Sequence, residues 1–345
     1  MTLPEVLTKR VRIPVMAAPL CIVSNLELVL AQCKAGIIGS FPAQNASTTV
    51  DLAAWLQTVV RELQVHDARN PKGLSAPFAI GLVVHHSNKR LESEVACVRR
   101  FKVPIVLTTI GADREVNDFV HGYGGIVLHA VTNDRYARKA IERGADGLIA
   151  VAAGAGGYAG TQSPFALMQE IRMWFKGPVL LAGSIASGQA ILAARALGAD
   201  LAYVGSAFIA TNEANASSSY KYFVTHSSSQ DVVGTSIFNG VHGNFLRMSI
   251  VAAGLNPEST SIDDRVDLSF SSLPELIPSG AQIWGAGQGI GALNDVTHVS
   301  HLVARLTSEY YSARDTLFAE TTPASAPIER RESPKWPRGQ TIVDS

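Results

Sequence analysis

The chain has 345 residues, enough for one large α/β barrel or two smaller domains around a well-filled core. Its 29 basic residues balance 29 acidic ones, which excludes a whole-chain bias toward nucleic acid or an anionic membrane surface. Hydrophobic residues make up 47% and charged residues 17%, as in a globular protein with a buried parallel sheet, and no apolar run nears the roughly 20 residues of a membrane span.

The opening MTLPEVLTKRVRIP lacks the apolar core of a secretory signal, so a cytoplasmic protein is expected. Beyond it, short β-branched runs alternate with longer amphipathic ones, the pattern of repeated βα units. Strands are expected near 14–18, 36–40, 78–84, 105–109, 125–129, 147–152, 179–182 and 201–204. Helices fit between them at 26–34, 52–65, 90–101, 113–121, 134–143, 164–175 and 188–197. Ser163-Pro164 supplies an N-cap followed by Pro at the first helical position. A strand-to-strand spacing of about 20–30 residues suits a barrel or a doubly wound sheet.

After the eighth strand the pattern breaks. Residues 212–285 mix helical stretches with serine runs and read as an insertion over the barrel mouth. A last helix at 290–314 closes the eighth unit, giving one domain over about 1–320. The Pro-, Ser- and charge-rich tail 321–345 is expected to be poorly ordered. Cys21, Cys33 and Cys97 show no metal-ligand spacing and read as reduced thiols, and no metal site is expected.

Three glycine-rich turns each follow an apolar run: VAAGAGGYAG from Val151, VLLAGSIASG from Val179 and ADLAYVGSAF from Ala199. Gly183-Ser184 and Gly205-Ser206, on successive βα units, suit the phosphate site that many (β/α)8 barrels form after strands seven and eight. Gly156 and Gly157 belong to the wider loop before them. Tight βα turns without a ligand are the plainer alternative for any one of these glycines.

IPVMAAPL, GAGGYAGTQSPFAL, LLAGSIASGQAILAARALGADLAYVGSAFIAT, GNFLRMSIVAAGL and IWGAGQGIG, in that order, resemble the nitronate monooxygenase family over roughly residues 10–315. The resemblance implies a (β/α)8 TIM barrel with a helical insertion after strand 8, binding FMN at the C-terminal ends of the strands. Carried over by position, Ala17, Ala18, Pro19 and Leu20 line the flavin ring. Gly183, Ser184, Gly205 and Ser206 hold its phosphate, Gln288 and Gly289 approach from the last loop, and His129 contacts the cofactor from strand five.

Three positions depart from the family pattern. Tyr158 stands where active members carry a His in GAGGHAG, and a phenol is a poor base at neutral pH but a serviceable hydrogen-bond donor. Gly81 replaces an Asn beside the flavin, and GVHGNFL introduces His242 and Gly243. Tyr158 and His242 are therefore the candidate catalytic groups, against the plainer readings that Tyr158 fills volume and His242 caps a helix or faces solvent. His85 and His86 alternate, so at most one points inward. Cys21 reads as a small buried side chain. Arg247 meets either an anionic substrate or a surface acid, while Asn244, Phe245 and Leu246 fix the insertion to the barrel.

The expected function is FMN-dependent oxidation of an alkyl nitronate or related anionic small molecule, with O2 as co-substrate. The alternatives are an NAD(P)H-dependent FMN reductase acting on a quinone or activated alkene, and a flavin-binding protein without turnover. An IMP dehydrogenase-like reaction needs a cysteine in the sixth-strand loop, and none follows Cys97. Neither nucleic acid nor membrane is an expected partner; monomer and homodimer both stay open.

Overall fold

The computed structural model describes residues 3–236, 242–258 and 282–321. Eight strands form one parallel sheet: β1 (Val15–Ala17), β2 (Gly39–Pro42), β3 (Phe78–Val83), β4 (Ile105–Thr109), β5 (Ile126–Val131), β6 (Gly147–Val151), β7 (Val179–Ala182) and β8 (Leu201–Val204). Each pairs with its neighbour in chain order, β1 also pairs with β8, and a parallel bridge between Met16 and Ile38 joins β1 to β2. The sheet is thereby a closed (β/α)8 barrel. All eight expected strands form, because strands covered on both faces are apolar runs that stand out between polar helices. β3, FAIGLV, is buried along its whole length.

The helices of the outer ring are α1 (Leu26–Lys34), α2 (Thr49–Arg69), α3 (Leu91–Arg100), α4 (Arg114–His121), α5 (Asp134–Glu142), α6 (Pro164–Trp174), α7 (Gly188–Ala196) and α8 (Val299–Thr321). Most start where a short polar side chain satisfies a free N–H. Asn25 caps α1, Thr48 and Asp51 form a reciprocal capping box on α2, Asn133 caps α5, and Ser163 with Pro164 opens α6. α8 starts at Val299, later than expected, because 288–292 winds as a 3-10 turn.

Alternation along the strands, combined with their register, stacks the barrel interior in layers of four from alternate strands. Met16, Ala79, Leu128 and Leu180 form one layer, and Ser40, Leu107, Ile149 and Tyr203 the next toward the C-terminal mouth. The third layer is Ala18, Gly81, Ala130 and Ala182, and by the same alternation Pro42, Thr109, Val151 and Gly205 stand above it at the mouth. The larger side chains below thus give way, just under the mouth, to a layer of hydrogen atoms and methyl groups.

The segment after β8 carries helices at Ser218–His226 and Arg247–Ala252, but also two strands that the helical expectation missed. Val232–Thr235 pairs antiparallel with Gly243–Leu246, which pairs in turn with Gly157–Tyr158 from the loop after β6. The Val232-Val233 and Phe245-Leu246 pairs give these short stretches the β-branched and aromatic character that a pleated ribbon favours. The middle of the expected insertion and the tail beyond Thr321 lie outside the described residues.

Candidate active site at the barrel mouth

Ala18, Pro19 and Leu20 leave β1 and run across the mouth. A Cβ on Gly81 would lie 3.2 Å from Pro19 Cγ, and one on Gly205 would lie 3.3 Å from Leu20 Cδ2 and 3.5 Å from Ala18 Cβ. The segment therefore spans from the β3 side to the β8 side, and both glycines are needed for its close approach. Asn45 ties the loop down, donating to the carbonyls of Leu20 at 2.9 Å and Ser24 at 2.8 Å while accepting from Ile22 N–H.

Three glycine loops interlock on the opposite side. Gly154 carbonyl accepts from Ser184 N–H at 3.2 Å and from Gln288 N–H at 2.9 Å, so the loops after β6 and β7 and the WGAGQG loop meet at one oxygen. Ser206 Oγ accepts from Gly287 N–H at 2.8 Å and brings in the turn after β8. A Cβ on Gly156 would sit 2.6 Å from Gly287 N, one on Gly183 2.7 Å from Ala153 O, and one on Gly289 2.9 Å from the Ser184 carbonyl carbon. Gly183 and Ser184 both have positive φ, +132° and +56°, which turns the chain sharply out of β7. Among the described residues, the N–H groups of Ser206 and Ala207 have no acceptor.

The structure thus brings together Ala18, Pro19, Leu20, Gly81, Gly183, Ser184, Gly205, Ser206, Gln288 and Gly289, with Gly156 and Gly157 in the interlocked loop. Gly154 and Gly287 belong to the same assembly and were missed, although the run AAGAGG and the sequence WGAGQG pointed to them.

Two expected cofactor contacts turn away. Ala17 is wholly buried among residues of the helix layer, and only its carbonyl reaches inward, accepting from Ser40 Oγ at 2.6 Å. His129 pairs in register with Thr108, and its Nδ1 lies 2.7 Å from Thr108 Oγ1. Its neighbours in β5, Leu128 and Ala130, are the residues that face the barrel interior. Strand parity therefore puts the imidazole between sheet and helices, and burial there lowers its pKa to about 4. His129 is a core histidine held neutral by its surroundings.

Tyr158 and His242 lie in the small sheet, where Ala159 N–H donates to His242 carbonyl at 3.2 Å. Tyr158 pairs with Gly243 and is 39% exposed. His242 shares the Asn244 face, because a Cβ on Gly234 would meet His242 Cε1 at 3.0 Å and Asn244 Oδ1 at 3.1 Å. Alternation puts Tyr158 on the other face, so the two side chains do not converge. Asn244 Nδ2 donates to Ala155 carbonyl at 2.6 Å and fixes the ribbon to the glycine loop, as expected.

Other candidates resolve simply. Arg247 pairs with Glu258 on the surface. β3 ends at Val83, so alternation does not govern His85 and His86, and their rings instead lie 3.9 Å apart, centroid to centroid. Cys21 is exposed, not a buried filler, and lies next to Ile22, whose φ is +66°. Among the described residues no group of His, Cys, Asp and Glu has the arrangement of a metal site, and no helix is long and apolar enough to cross a membrane.

Comparison with known proteins agrees with this architecture. A probable nitronate monooxygenase from Staphylococcus haemolyticus is 27% identical over 164 residues, 44% of this chain and 46% of that protein. A nitronate monooxygenase from Paraburkholderia phytofirmans is 30% identical over 142 residues, 39% of either chain. The chain spans less than half the length of these curated relatives in the matched regions. A nitroalkane oxidase from Streptomyces ansochromogenes superposes with a TM-score of 0.73 at 24% identity, covering 90% of this chain and 99% of that one. FabK from Thermotoga maritima superposes with a TM-score of 0.73 at 20% identity, covering 92% and 97%. These two likenesses concern the fold. The family profile for nitronate monooxygenase matches residues 5–309, and the chain belongs to that family.

Proposed function

We propose that the protein is an FMN-dependent oxidoreductase that oxidises an alkyl nitronate, or a related anionic small molecule, with O2 as the terminal acceptor. The observation that carries this reading is the floor of Ala18, Gly81, Ala130 and Ala182 beneath interlocked glycine loops. A planar ring system needs a flat apolar seat, and its phosphate needs convergent N–H donors at one end. Gly81 and Gly205 let Pro19 and Leu20 lie close across the mouth, and the N–H groups of Ser206 and Ala207, without an acceptor among the described residues, follow directly after Gly205. The residues present fit the group.

Ala18, Pro19 and Leu20 would flank the ring, the turns at Gly183-Ser184 and Gly205-Ser206 would hold the phosphate, and Gln288 with Gly289 would close the far side. When bound, the flavin supplies a two-electron acceptor that dioxygen can regenerate. A nitronate arrives already deprotonated, so the chain needs a group that holds the nitro oxygens more than it needs a base. Tyr158, half-exposed in the loop after β6, is the candidate for that hydrogen bond. His242 supports the ribbon from its other face.

The test is the visible spectrum of the FMN-loaded protein before and after anaerobic mixing with an alkyl nitronate. Bleaching of the flavin bands supports the proposal. Bands that respond only to NAD(P)H assign the chain to reductase chemistry on a quinone or alkene, and bands that respond to neither leave a binding protein without turnover. Tyr158→Phe should slow nitronate turnover roughly tenfold; unchanged turnover would remove Tyr158 from the reaction.

A further inference from the structure

Arg90 stands just before α3, and its side chain reaches back to the turn that follows β2. Its guanidinium donates to the carbonyls of Ala46 at 2.9 Å, Ser47 at 3.1 Å and Ala43 at 3.4 Å. Those oxygens flank Asn45, the last residue of the 3-10 turn Ala43–Asn45. Asn45 in turn grips the loop after β1, through the carbonyls of Leu20 and Ser24 and the N–H of Ile22. Arg90 is thereby linked, through one short turn, to the segment Ala18–Leu20 that crosses the mouth.

The guanidinium is itself held. Glu94, one helical turn further on, is wholly buried, and its Oε1 lies 3.4 Å from Arg90 Nε. Neither atom has a hydrogen bond, so the ion pair is what each receives in exchange for water. The other oxygen of Glu94 accepts from Asn88 Nδ2 at 2.9 Å, and Asn88 also donates to Val83 carbonyl at 3.0 Å. One buried pair therefore ties two loops, the one after β2 through Arg90 and the one after β3 through Asn88. Nothing local in HHSNKRLESE marks it, because charges at i and i+4 are ordinary on an exposed helix.

We propose that Arg90 is a positioning residue of the site at the mouth: with Glu94 behind it, it sets the turn at 43–47, and Asn45 passes that placement to Ala18–Leu20. This rests on the reading of the mouth as the flavin site.

Arg90→Lys keeps a charge opposite Glu94 but gives up the planar fork that serves three carbonyls. Cys21 lies inside the braced loop and has no bond to Arg90, so its thiol reports what the turn transmits. In the full-length protein its rate with a disulfide reagent should rise about three- to tenfold, the change in local opening that one lost hydrogen bond brings. Asn45→Asp, which removes the amide donor, should raise the rate similarly, and the double variant should add little to the larger single effect. Gly124→Ala, in the turn before β5, should leave the rate unchanged. Should Arg90→Lys not fold, Glu94→Gln carries the same test. FMN should bind Arg90→Lys about threefold or more weakly than wild type.

An unchanged Cys21 rate, a rise that Gly124→Ala matches, or single effects that multiply in the double variant overturns the relay. FMN bound as tightly by Arg90→Lys as by wild type overturns the positioning role and leaves the flavin reading standing. Wild-type protein that takes up no FMN overturns the flavin reading and the positioning role with it, while the thiol rates still decide the brace.

Discussion

Two separable costs govern the glycines, and three alanine substitutions tell them apart. Gly124, in the turn before β5 at the end of the barrel away from the mouth, has φ +88° and nothing within 4 Å of a built Cβ. Alanine there meets only the left-handed backbone penalty, about 1 kcal/mol after the entropy it removes from the unfolded chain. Gly156 has an ordinary φ, but its Cβ would sit 2.6 Å from Gly287 N and 2.8 Å from Ala286 C. Both are backbone atoms that cannot rotate aside, so overpacking sets the cost at about 1–3 kcal/mol. Gly183 combines a φ of +132° with a Cβ 2.7 Å from Ala153 O, and the two penalties together come to about 2–6 kcal/mol. Guanidinium denaturation of the wild type and the three variants reads these differences directly. The order should be Gly183→Ala least stable, then Gly156→Ala, then Gly124→Ala. FMN affinity should fall for the two loop variants and hold for Gly124→Ala. A Gly183→Ala protein as stable as Gly124→Ala would refute the claim that the loops interlock through backbone contact.

His129 makes stability fall with acid. Its folded pKa of about 4 lies below the ordinary value of about 6.5, so between those pH values the unfolded chain holds a proton that the folded chain does not. The contribution is intact above pH ~6.5 and drains at up to about 1.4 kcal/mol per pH unit down to pH ~4, or about 2 kcal/mol between pH 7 and pH 5. Urea midpoints for wild type and His129→Gln at the two pH values should show a smaller acid loss in the variant; equal losses would place the titration elsewhere. Thiol chemistry checks the core: Cys21 is exposed, although partial burial of its sulfur raises its pKa, whereas Cys33 and Cys97 are buried and burial pushes the Cys33 thiol up to about 12. One thiol per chain should react quickly with a disulfide reagent in the native state and all three in denaturant, and Cys21→Ser should abolish the fast phase. A second fast thiol would contradict the packing of α1 or α3 on the sheet.

The strands were legible because a parallel barrel buries both faces of each one, and the same fact hid which way each residue points. Where β5 reads IVLHAV, an apolar residue on either side of His129 gives no polar alternation from which to take parity. A shift of one residue then moves a side chain from the mouth to the helix layer, and both Ala17 and His129 fell on the wrong side of that choice. The glycine turns were legible as a group, since several together at strand ends are hard to explain as chance. Their cause was only half visible. Chain-distant contacts, Gly156 with Gly287 and Gly183 with Ala153, set the need for hydrogen atoms there as firmly as any ligand does.

Sequence spacing marks where a side chain is unusual for its element, but which residues share a layer is a property of the register of eight strands. The floor of Ala18, Gly81, Ala130 and Ala182 draws one residue from each of four strands spread over more than a hundred positions. No local window contains it. A ligand site formed by alternate strands of a closed barrel is therefore best sought by layer: the layer whose side chains shrink marks the seat, and the loops that follow those strands mark what it holds.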